Sequence, residues 1–222
     1  MGKDNEVKVL SMWASPFCMR VKIALAEKGV AYEEIMENDL FGDKSPLLLK
    51  CNPVHKQVPV LLHGDKPVLE STNIITYIDQ VWTSPALLPA CAYEKSRARF
   101  WADFIDRKVF SAGREIWMAN GEQVESRKTE FLDILMFLDG TLGDKDYFTD
   151  DTFGLVDILL IGVASWFCVF EKYGNFTVED HYPKLAAWIK RCNARQSVLD
   201  AQINSDNLFD MVSMIRQMNG LQ

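Results

Sequence analysis

The chain has 222 residues, of which 48% are hydrophobic, and its formal net charge is −7 at pH 7. Because binding to nucleic acid phosphates requires clustered cations, this acidic balance argues against nucleic acid as a main partner. No apolar stretch approaches the ~20 residues that a transmembrane helix needs, so no membrane association is expected.

The cysteines and histidines predict a reduced protein without a metal. The five cysteines are an odd number without paired spacing, and the first residues, MGKDNEVKV, lack the apolar core of a signal peptide. We therefore expect free thiols and a cytosolic location. The three histidines are scattered, and no Cys/His cluster has the spacing of metal ligands, so no metal site is predicted.

The first predicted elements are a strand, VKVLSM, and a helix from Phe17 to Lys28. Ser15-Pro16 lies just before the helix, and proline is favoured in the first helical turn. Unpaired N–H groups and the helix dipole stabilise negative charge at this position. The simplest interpretation of Ser15 is a serine that only caps the helix.

A second interpretation gives Ser15 a chemical role. Redox proteins of the thioredoxin type place the first cysteine of C-x-x-C at such a helix start, whereas this chain reads S-P-F-C. A serine hydroxyl is too weak an acid to attack unaided, but it can donate a hydrogen bond to a thiolate that a substrate supplies. The pattern therefore favours a site that activates a borrowed thiol.

Strands and helices continue to alternate as far as residue 82. Val58-Pro59 stands at the start of the predicted strand VPVLL, and a short strand, PVLE, follows it. Glu70-Ser71 then precedes the helical stretch TNIITYIDQVW. The order β-α-β-α-β-β-α over residues 7–82 fits a thioredoxin-like domain.

Two prolines and several small residues interrupt the pattern in TSPALLPACA, residues 83–92, which we interpret as a linker. The predicted fold class is an α/β thioredoxin-like N-terminal domain, 1–82, followed by an all-α C-terminal domain, 93–222. A cleft between the two domains is the expected ligand site. The predicted helices of the second domain are 93–119, 122–142, 155–172, 183–193 and 206–218.

Three runs in the first domain are specific enough to indicate a family: SPFCMRVKIALAEKG, NPVHKQVPVLLHGDKPVLES and TYIDQVW. They resemble glutathione transferases, and most closely the plant tau class. The later segments AGREIW, DTFGLVDILLIG and YPKLAAWIKR extend the resemblance over nearly the whole chain. The resemblance implies a cytosolic homodimer that ionises glutathione as its co-substrate, with no other cofactor.

The implied reaction directs the glutathione thiolate at hydrophobic electrophiles. It includes substitution on an aryl halide, addition to an unsaturated carbonyl, and reduction of an organic hydroperoxide. A different class of function on the same fold is a carrier of hydrophobic molecules that catalyses nothing. A third is a thiol oxidoreductase that uses Cys18, although we interpret Cys18 as a small buried apolar residue.

The resemblance also implies how glutathione is held. Ser15 donates to the sulfur, and Val58 offers its backbone N–H and C=O to the cysteinyl unit, as an added strand does. Pro59 is then expected in the cis form. The Glu70 carboxylate matches the ammonium of the γ-glutamyl end, and Ser71 with the N–H groups of the new helix matches its carboxylate.

The glycyl end of glutathione is matched, by the same resemblance, to Lys44 and Lys56. Many tau-class sequences read H-K-K before the valine or isoleucine, whereas this chain reads His55-Lys56-Gln57. Gln57 can form a hydrogen bond but carries no charge. We therefore expect a weaker contact with the glycyl carboxylate.

Five further residues match positions that line the electrophile pocket in the tau class, and Phe209 in the C-terminal helix is expected to close over that pocket. Considered singly, the aromatic members are better explained by an ordinary helix core. Phe110, Arg114 and Trp117 are spaced i, i+4 and i+7, however, and therefore share one helix face. The six residues are Phe17, Phe110, Arg114, Trp117, Trp166 and Phe209 in the C-terminal helix.

Asp157 opens a strongly apolar helix three residues after Gly154, which is typical of a helix start. We assign it a role in folding and leave it out of the active site.

Overall fold

The computed structural model describes residues 6–37, 42–149 and 151–221. The contacts divide the chain into two compact units, Met1–Leu88 and Pro89–Gln222. The predicted linker, 83–92, spans the point of division.

The first unit contains a four-stranded sheet in the order β2-β1-β3-β4, in which β1 pairs parallel to β2 and the other pairs are antiparallel. The predicted order β-α-β-α-β-β-α is confirmed. The element bounds are β1 Val7–Ser11, α1 Pro16–Glu27, β2 Glu33–Met36, α2 Pro46–Cys51, β3 Val60–His63, β4 Lys66–Leu69 and α3 Ser71–Val81.

The third strand begins two residues later than VPVLL predicts. The peptide bond between Val58 and Pro59 is cis, which confirms the expected isomer, and β3 begins at Val60. Because proline has no N–H to donate to a sheet, the strand pairing starts after Pro59 and the backbone of Val58 stays outside the sheet.

Cys18 belongs to the hydrophobic core under this sheet. Its side chain is fully buried among Leu10, Leu48, Val58 and Val60. Burial raises the pKa of the Cys18 thiol, against smaller opposing effects of the Ser15 hydroxyl and the Met12 backbone. The predicted role as a small apolar residue is therefore favoured over that of a reactive thiol.

An ion pair between Lys28 and Asp79 fixes the end of the first unit. The Lys28 ammonium donates to Asp79 Oδ1 at 2.6 Å and to the carbonyl oxygen of Pro85, and its side chain is fully buried. The backbone N–H of Leu87 donates to the same Asp79 oxygen at 2.7 Å. Asp79 therefore fastens residues 85–87 to α1 and α3, the two helices that pack together in this unit.

The second unit is helical, as predicted. A π-helical turn, Ile105–Val109, joins α4 to α5, so the predicted helix 93–119 is continuous but locally widened. None of the helices in the described residues is long and apolar enough to cross a membrane. The bounds are α4 Ala92–Phe104, α5 Phe110–Met118, α6 Gln123–Leu142, α7 Leu155–Ala164, α8 Phe167–Gly174, α9 Val178–His181, α10 Pro183–Asn193, α11 Gln196–Leu199 and α12 Ser205–Met218.

The prediction of one helix over 155–172 is wrong in one respect. The structure has two helices there, because the helical hydrogen bonding is interrupted between α7 and α8. Ser165 ends α7, and its hydroxyl donates to the carbonyl oxygen of Gly162 at 2.6 Å. A serine that bonds to its own helix competes with the regular ladder. The short helices α9 and α11 were not predicted, because four residues are too few to show a helical period.

Asp157 is a buried connection point of the second unit. One carboxylate oxygen accepts from Phe148 N at 3.1 Å and from Trp188 Nε1 at 2.9 Å, and the other accepts from Gly154 N at 3.1 Å. It therefore links the start of α7 to α10 and to the loop before α7. Burial raises the pKa of Asp157 to about 6, although these hydrogen bonds act to lower it.

We expect Asp157 to make stability depend on pH. Its native pKa of about 6 lies above the ~3.9 of an unfolded chain, so the native state holds a proton that the unfolded state releases. This stabilisation is complete below about pH 4 and is lost as the pH rises through 6, by up to about 3 kcal/mol. Asp157→Asn should remove this slope, and it should also lower stability at every pH because the amide NH₂ meets N–H donors.

Urea unfolding of both proteins from pH 4.5 to 7.5 measures this effect, since their difference cancels the other titrating groups. Parallel stability curves over this range would show that the native Asp157 does not titrate there.

Candidate functional site

A cavity of about 280 Å³ lies in the first unit, where the start of α1, the loop after α2 and the start of α3 meet. Its walls combine an aromatic ring, backbone groups beside the cis proline and several polar side chains. The residues that line it are Phe17, Asn52, His55, Gln57, Val58, Pro59, Glu70 and Ser71.

Ser15 occupies the N-cap of α1. Its backbone is extended, with φ −78° and ψ 116°, and its Oγ accepts a hydrogen bond from Cys18 N at 3.2 Å. The side chain is half-buried and lies two residues before Phe17, which lines the cavity. Ser15 itself is not among the described residues that line it. The capping role that the sequence predicts is confirmed, and the chemical role stays a prediction.

The start of α3 places Glu70 and Ser71 side by side on the cavity. Glu70 has a positive φ of 67°, an uncommon conformation for a residue with a side chain. Its Oε1 lies 2.6 Å from His55 Nδ1. Ser71 is buried, and it is the first residue of the helix rather than its cap.

A buried arginine behind Ser71 was not predicted. Arg20 in α1 is fully buried and donates from Nη1 to Ser71 Oγ at 3.2 Å. Its guanidinium also lies 4.9 Å from the ring centre of Phe17. Arg20 brings a positive charge to the wall where Glu70 and Ser71 lie. The available sequence signal was an arginine inside the largely apolar run CMRVKIALA, in which Lys22 is the other charged residue.

The loop between α2 and β3 is organised by Asn52, which was also not predicted. Asn52 is buried, its Oδ1 accepts from His55 N at 3.1 Å, and its Nδ2 donates to Gln57 O at 3.0 Å. Lys56, between those two residues, has a positive φ of 54°. Asn52 thereby holds His55, Gln57 and the approach to Val58 in one conformation. The dipeptide Asn-Pro was the available signal, since it favours a turn.

The two predicted glycyl-end lysines are neighbours, but they are not among the described residues that line the cavity. Lys44 Nζ donates to the carbonyl oxygen of Lys56 at 2.6 Å, and the side chain of Lys56 is exposed. Ser45, beside Lys44, is anchored by the buried Glu37, whose carboxylate accepts from Ser45 Oγ at 2.5 Å and from Ser45 N at 3.3 Å. Gln57, in contrast, does line the cavity.

Three of the predicted electrophile residues meet in an aromatic cluster of the second unit. The ring of Trp166 lies 5.6 Å from Phe110 and 6.1 Å from Trp117, between ring centres. Phe170 contacts both Phe110 and Trp166. Trp117 is buried, and its Nε1 has no hydrogen-bond partner among the described residues. Both predicted interpretations, core and pocket wall, are compatible with this cluster.

The remaining predicted electrophile residues are placed differently. Arg114 lies three residues before Trp117 in α5 and is exposed. Its Nη1 lies 3.8 Å from Oε1 of Glu115. Phe209 lies in α12, and the ammonium of Lys172 is 4.3 Å from the centre of the Phe209 ring. Phe17 belongs to the first unit and lines the cavity there.

The end of the helix that carries Trp117 is fixed by Arg216, a further residue that was not predicted. Arg216 in α12 is buried and donates to the carbonyl oxygens of Trp117 and of Ala119, the latter at 3.3 Å. Its guanidinium also lies 4.5 Å from the ring centre of Tyr173. No sequence pattern within α12 links it to α5, since the contact joins residues 99 positions apart.

The described residues contain no group of His, Cys, Asp and Glu side chains that could hold a metal ion. The described residues in and around the cavity offer hydrogen-bond donors, the carboxylate of Glu70, the buried guanidinium of Arg20 and helix N-termini. Such a set can hold a small zwitterionic ligand.

Comparisons with known proteins identify the family. The glutathione S-transferase N-terminal domain matches residues 5–80, and the glutathione S-transferase C-terminal domain matches residues 86–196. Glutathione S-transferase U24 of Arabidopsis thaliana is 50% identical over 219 residues, which are 98% of this chain and 99% of the relative.

Two solved structures agree with this match. Rice GST1 (OsGSTU1) in complex with glutathione has a TM-score of 0.92 and 38% identity, and the match covers 98% of this chain and 99% of that one. The tau class glutathione S-transferase of mango, Mangifera indica, has a TM-score of 0.88 and 35% identity, over 94% of this chain and 98% of the other. The chain therefore belongs to the glutathione S-transferase family, within its plant tau class, and is a glutathione transferase.

Proposed function

We propose that glutathione binds in the cavity of the first unit and that Ser15 donates a hydrogen bond to its sulfur. The observation that carries this proposal is the position of the Ser15 hydroxyl at the N-terminus of α1, two residues before the cavity wall at Phe17. A hydroxyl has one hydrogen and two acceptor sites, so accepting from Cys18 N does not use its hydrogen.

The strength of this arrangement is sufficient for thiol activation. A free thiol has a pKa near ~8.5, and each unit of lowering corresponds to ~1.4 kcal/mol. A helix N-terminus supplies ~0.3–1 kcal/mol, and a hydrogen bond to a charged group supplies ~1.5–3 kcal/mol. Together they lower the pKa of the bound thiol by about 2 units, and the thiolate then predominates at neutral pH.

The other cavity residues orient the peptide. The backbone of Val58, which lies outside the sheet and lines the cavity, pairs in this proposal with the cysteinyl unit as an added strand does. Glu70 pairs with the γ-glutamyl ammonium. Ser71 and the first N–H groups of α3 receive the γ-glutamyl carboxylate, and the buried charge of Arg20 behind Ser71 adds to this attraction.

The glycyl carboxylate is assigned to Lys44 and Lys56, with Gln57 offering a neutral hydrogen bond. The bond from Lys44 to the Lys56 carbonyl supports a common location for the two ammonium groups. The neutral Gln57 is consistent with a modest contribution from this end of the ligand.

The thiolate is directed at hydrophobic electrophiles by substitution or addition, and reduction of organic hydroperoxides is a further reaction of the same thiolate. Phe17, Phe110, Arg114, Trp117, Trp166 and Phe209 are proposed to line the electrophile pocket. The aromatic cluster around Trp166 supports an apolar ligand, and glutathione is the only co-substrate that the proposal requires. The cysteines remain free thiols, in keeping with a cytosolic location.

Replacing Ser15 by alanine should leave the Kd for glutathione within about tenfold, because the hydroxyl acts on the thiolate more than on the peptide. Conjugation of a chromogenic aryl halide near pH 6.5 should fall by about 5-fold to 50-fold, because the loss of the hydrogen bond alone, ~1.5–3 kcal/mol, raises the pKa of the thiol by about 1–2 units and leaves about 1–9% thiolate. The pH–rate profile should move upward by the same amount. Turnover by the wild-type protein in this assay also separates a transferase from a carrier.

The matched control is Thr177→Ala. Thr177 caps α9 as Ser15 caps α1, with its hydroxyl accepting from Asp180 N at 3.1 Å. It should lose a helix cap, which costs about 0.5–2 kcal/mol of stability, without a change in the pH–rate profile. Near-normal turnover with an unshifted profile in Ser15→Ala would remove the catalytic assignment.

We also propose that the protein is a homodimer that associates through an aromatic surface on α4 and α6. Phe100 and Phe137 are 62% and 57% exposed. Their rings belong to a row in which Phe100 contacts Trp101, Trp101 contacts Phe104, and Phe104 contacts Phe137. Contiguous exposed aromatic rings are typical of an interface with another protein.

The double variant Phe100→Ser with Phe137→Ser should weaken the dimer by at least ~10-fold, because buried aromatic anchors dominate interface energies. Light scattering across a dilution series measures the change in mass from that of two chains to that of a single chain. Met214→Ser, at a residue 62% exposed on α12, is the control for loss of exposed apolar area. A double variant as dimeric as the wild type would place the interface elsewhere.

A further inference from the structure

We propose that His55 is a positioning residue for Glu70, and that the pair makes the site selective for ligands that carry a free amino group at the γ-glutamyl end. This inference rests on the proposed role of Glu70 in binding glutathione. The His55–Glu70 hydrogen bond is the observation behind it, because both side chains line the same cavity.

The direction of the hydrogen bond follows from the chemistry of the two groups. An ionised carboxylate only accepts, so Nδ1 of His55 carries the hydrogen and donates to Glu70 Oε1 across 2.6 Å. A carboxylate has two oxygens and about four lone-pair sites. Donation to Oε1 therefore fixes the orientation of the carboxylate and leaves acceptor capacity for an ammonium group.

Both partners are held by their backbones. Glu70 has a φ of 67°, and its carbonyl oxygen accepts from Ile74 N at 2.7 Å as the first bond of α3. His55 N donates to Oδ1 of the buried Asn52 at 3.1 Å. The imidazole and the carboxylate thus extend from two fixed points, which reduces the conformational entropy lost when they pair.

The pair is more than half exposed, at 58% for the His55 side chain and 62% for that of Glu70. Solvent screening therefore limits its strength, and its loss should weaken ligand binding only about threefold to fivefold. A change of this size is best detected as a difference between two ligands rather than as a loss of activity.

The experiment measures the Kd by calorimetry for glutathione and for its deamino analogue, glutaryl-cysteinyl-glycine. The proteins are the wild type, His55→Ala, His55→Asn, Glu70→Gln and the double variant His55→Ala/Glu70→Gln. Asparagine can place a donor near the position of Nδ1, so it tests rescue of the hydrogen bond. Circular dichroism confirms that each variant is folded.

We expect His55→Ala to raise the Kd for glutathione about threefold to fivefold and to leave the Kd for the deamino analogue unchanged. His55→Asn should restore glutathione binding to within about twofold. In the Glu70→Gln background, His55→Ala should add no further loss, because the two residues act on one interaction.

If His55→Ala weakens the binding of both ligands equally, His55 has a general structural role and the inference is overturned. An unchanged Kd for glutathione in His55→Ala, with a clear loss in Glu70→Gln, would overturn the role of His55 alone. An unchanged Kd in Glu70→Gln would overturn both this inference and the proposed role of Glu70.

Discussion

The need to satisfy the first N–H groups of a helix governs the site in the first unit. In α1 the Ser15 hydroxyl accepts from Cys18 N, and this capping bond does not use the hydroxyl hydrogen. In α3 the cap residue is Glu70, whose side chain makes no capping bond among the described residues and instead reaches His55. The two helix starts therefore differ in how they are capped. In the proposed function, the start of α1 activates the thiol and the start of α3 receives the γ-glutamyl carboxylate.

The order of the elements could be predicted from the sequence because it follows short-range rules. Ser-Pro at a helix start, Val-Pro at a strand start and a polar pair before α3 each have a local physical meaning. The same rules cannot rank their functions, however. Ser45-Pro46 opens α2 with the same pattern as Ser15-Pro16, and Ser45 Oγ accepts from Leu48 N at 3.1 Å, as a cap does. Two contacts among the described residues distinguish the two serines: Ser15 lies near the cavity wall at Phe17, whereas the hydroxyl of Ser45 donates to Glu37 Oε1. Both are properties of the folded chain.

Two of the residues that sequence reasoning missed act over long distances along the chain. Arg20 reaches Ser71 across 51 positions, and Arg216 reaches Trp117 across 99. A charged residue inside an apolar helix signals that a partner must exist, because an isolated buried charge is very unfavourable, but it does not identify the partner. Two local departures from the predicted helices were also missed. Ser165 looks like any serine at a helix surface until its bond to Gly162 is seen, and the π-helical turn before Phe110 has no composition of its own.

The helix that carries Phe110, Arg114 and Trp117 shows how such distant contacts determine a local surface. A Cβ atom at Gly113 would overlap the ring of Phe170, so glycine in AGREIW permits α5 and α8 to pack closely. At the other end of the helix, Arg216 holds the carbonyl oxygens of Trp117 and Ala119. The spacing i, i+4, i+7 predicts which side chains share a face, but Gly113 and Arg216 fix where that face lies. With this face assigned to the proposed electrophile pocket, Gly113 and Arg216 would influence electrophile preference without touching the electrophile.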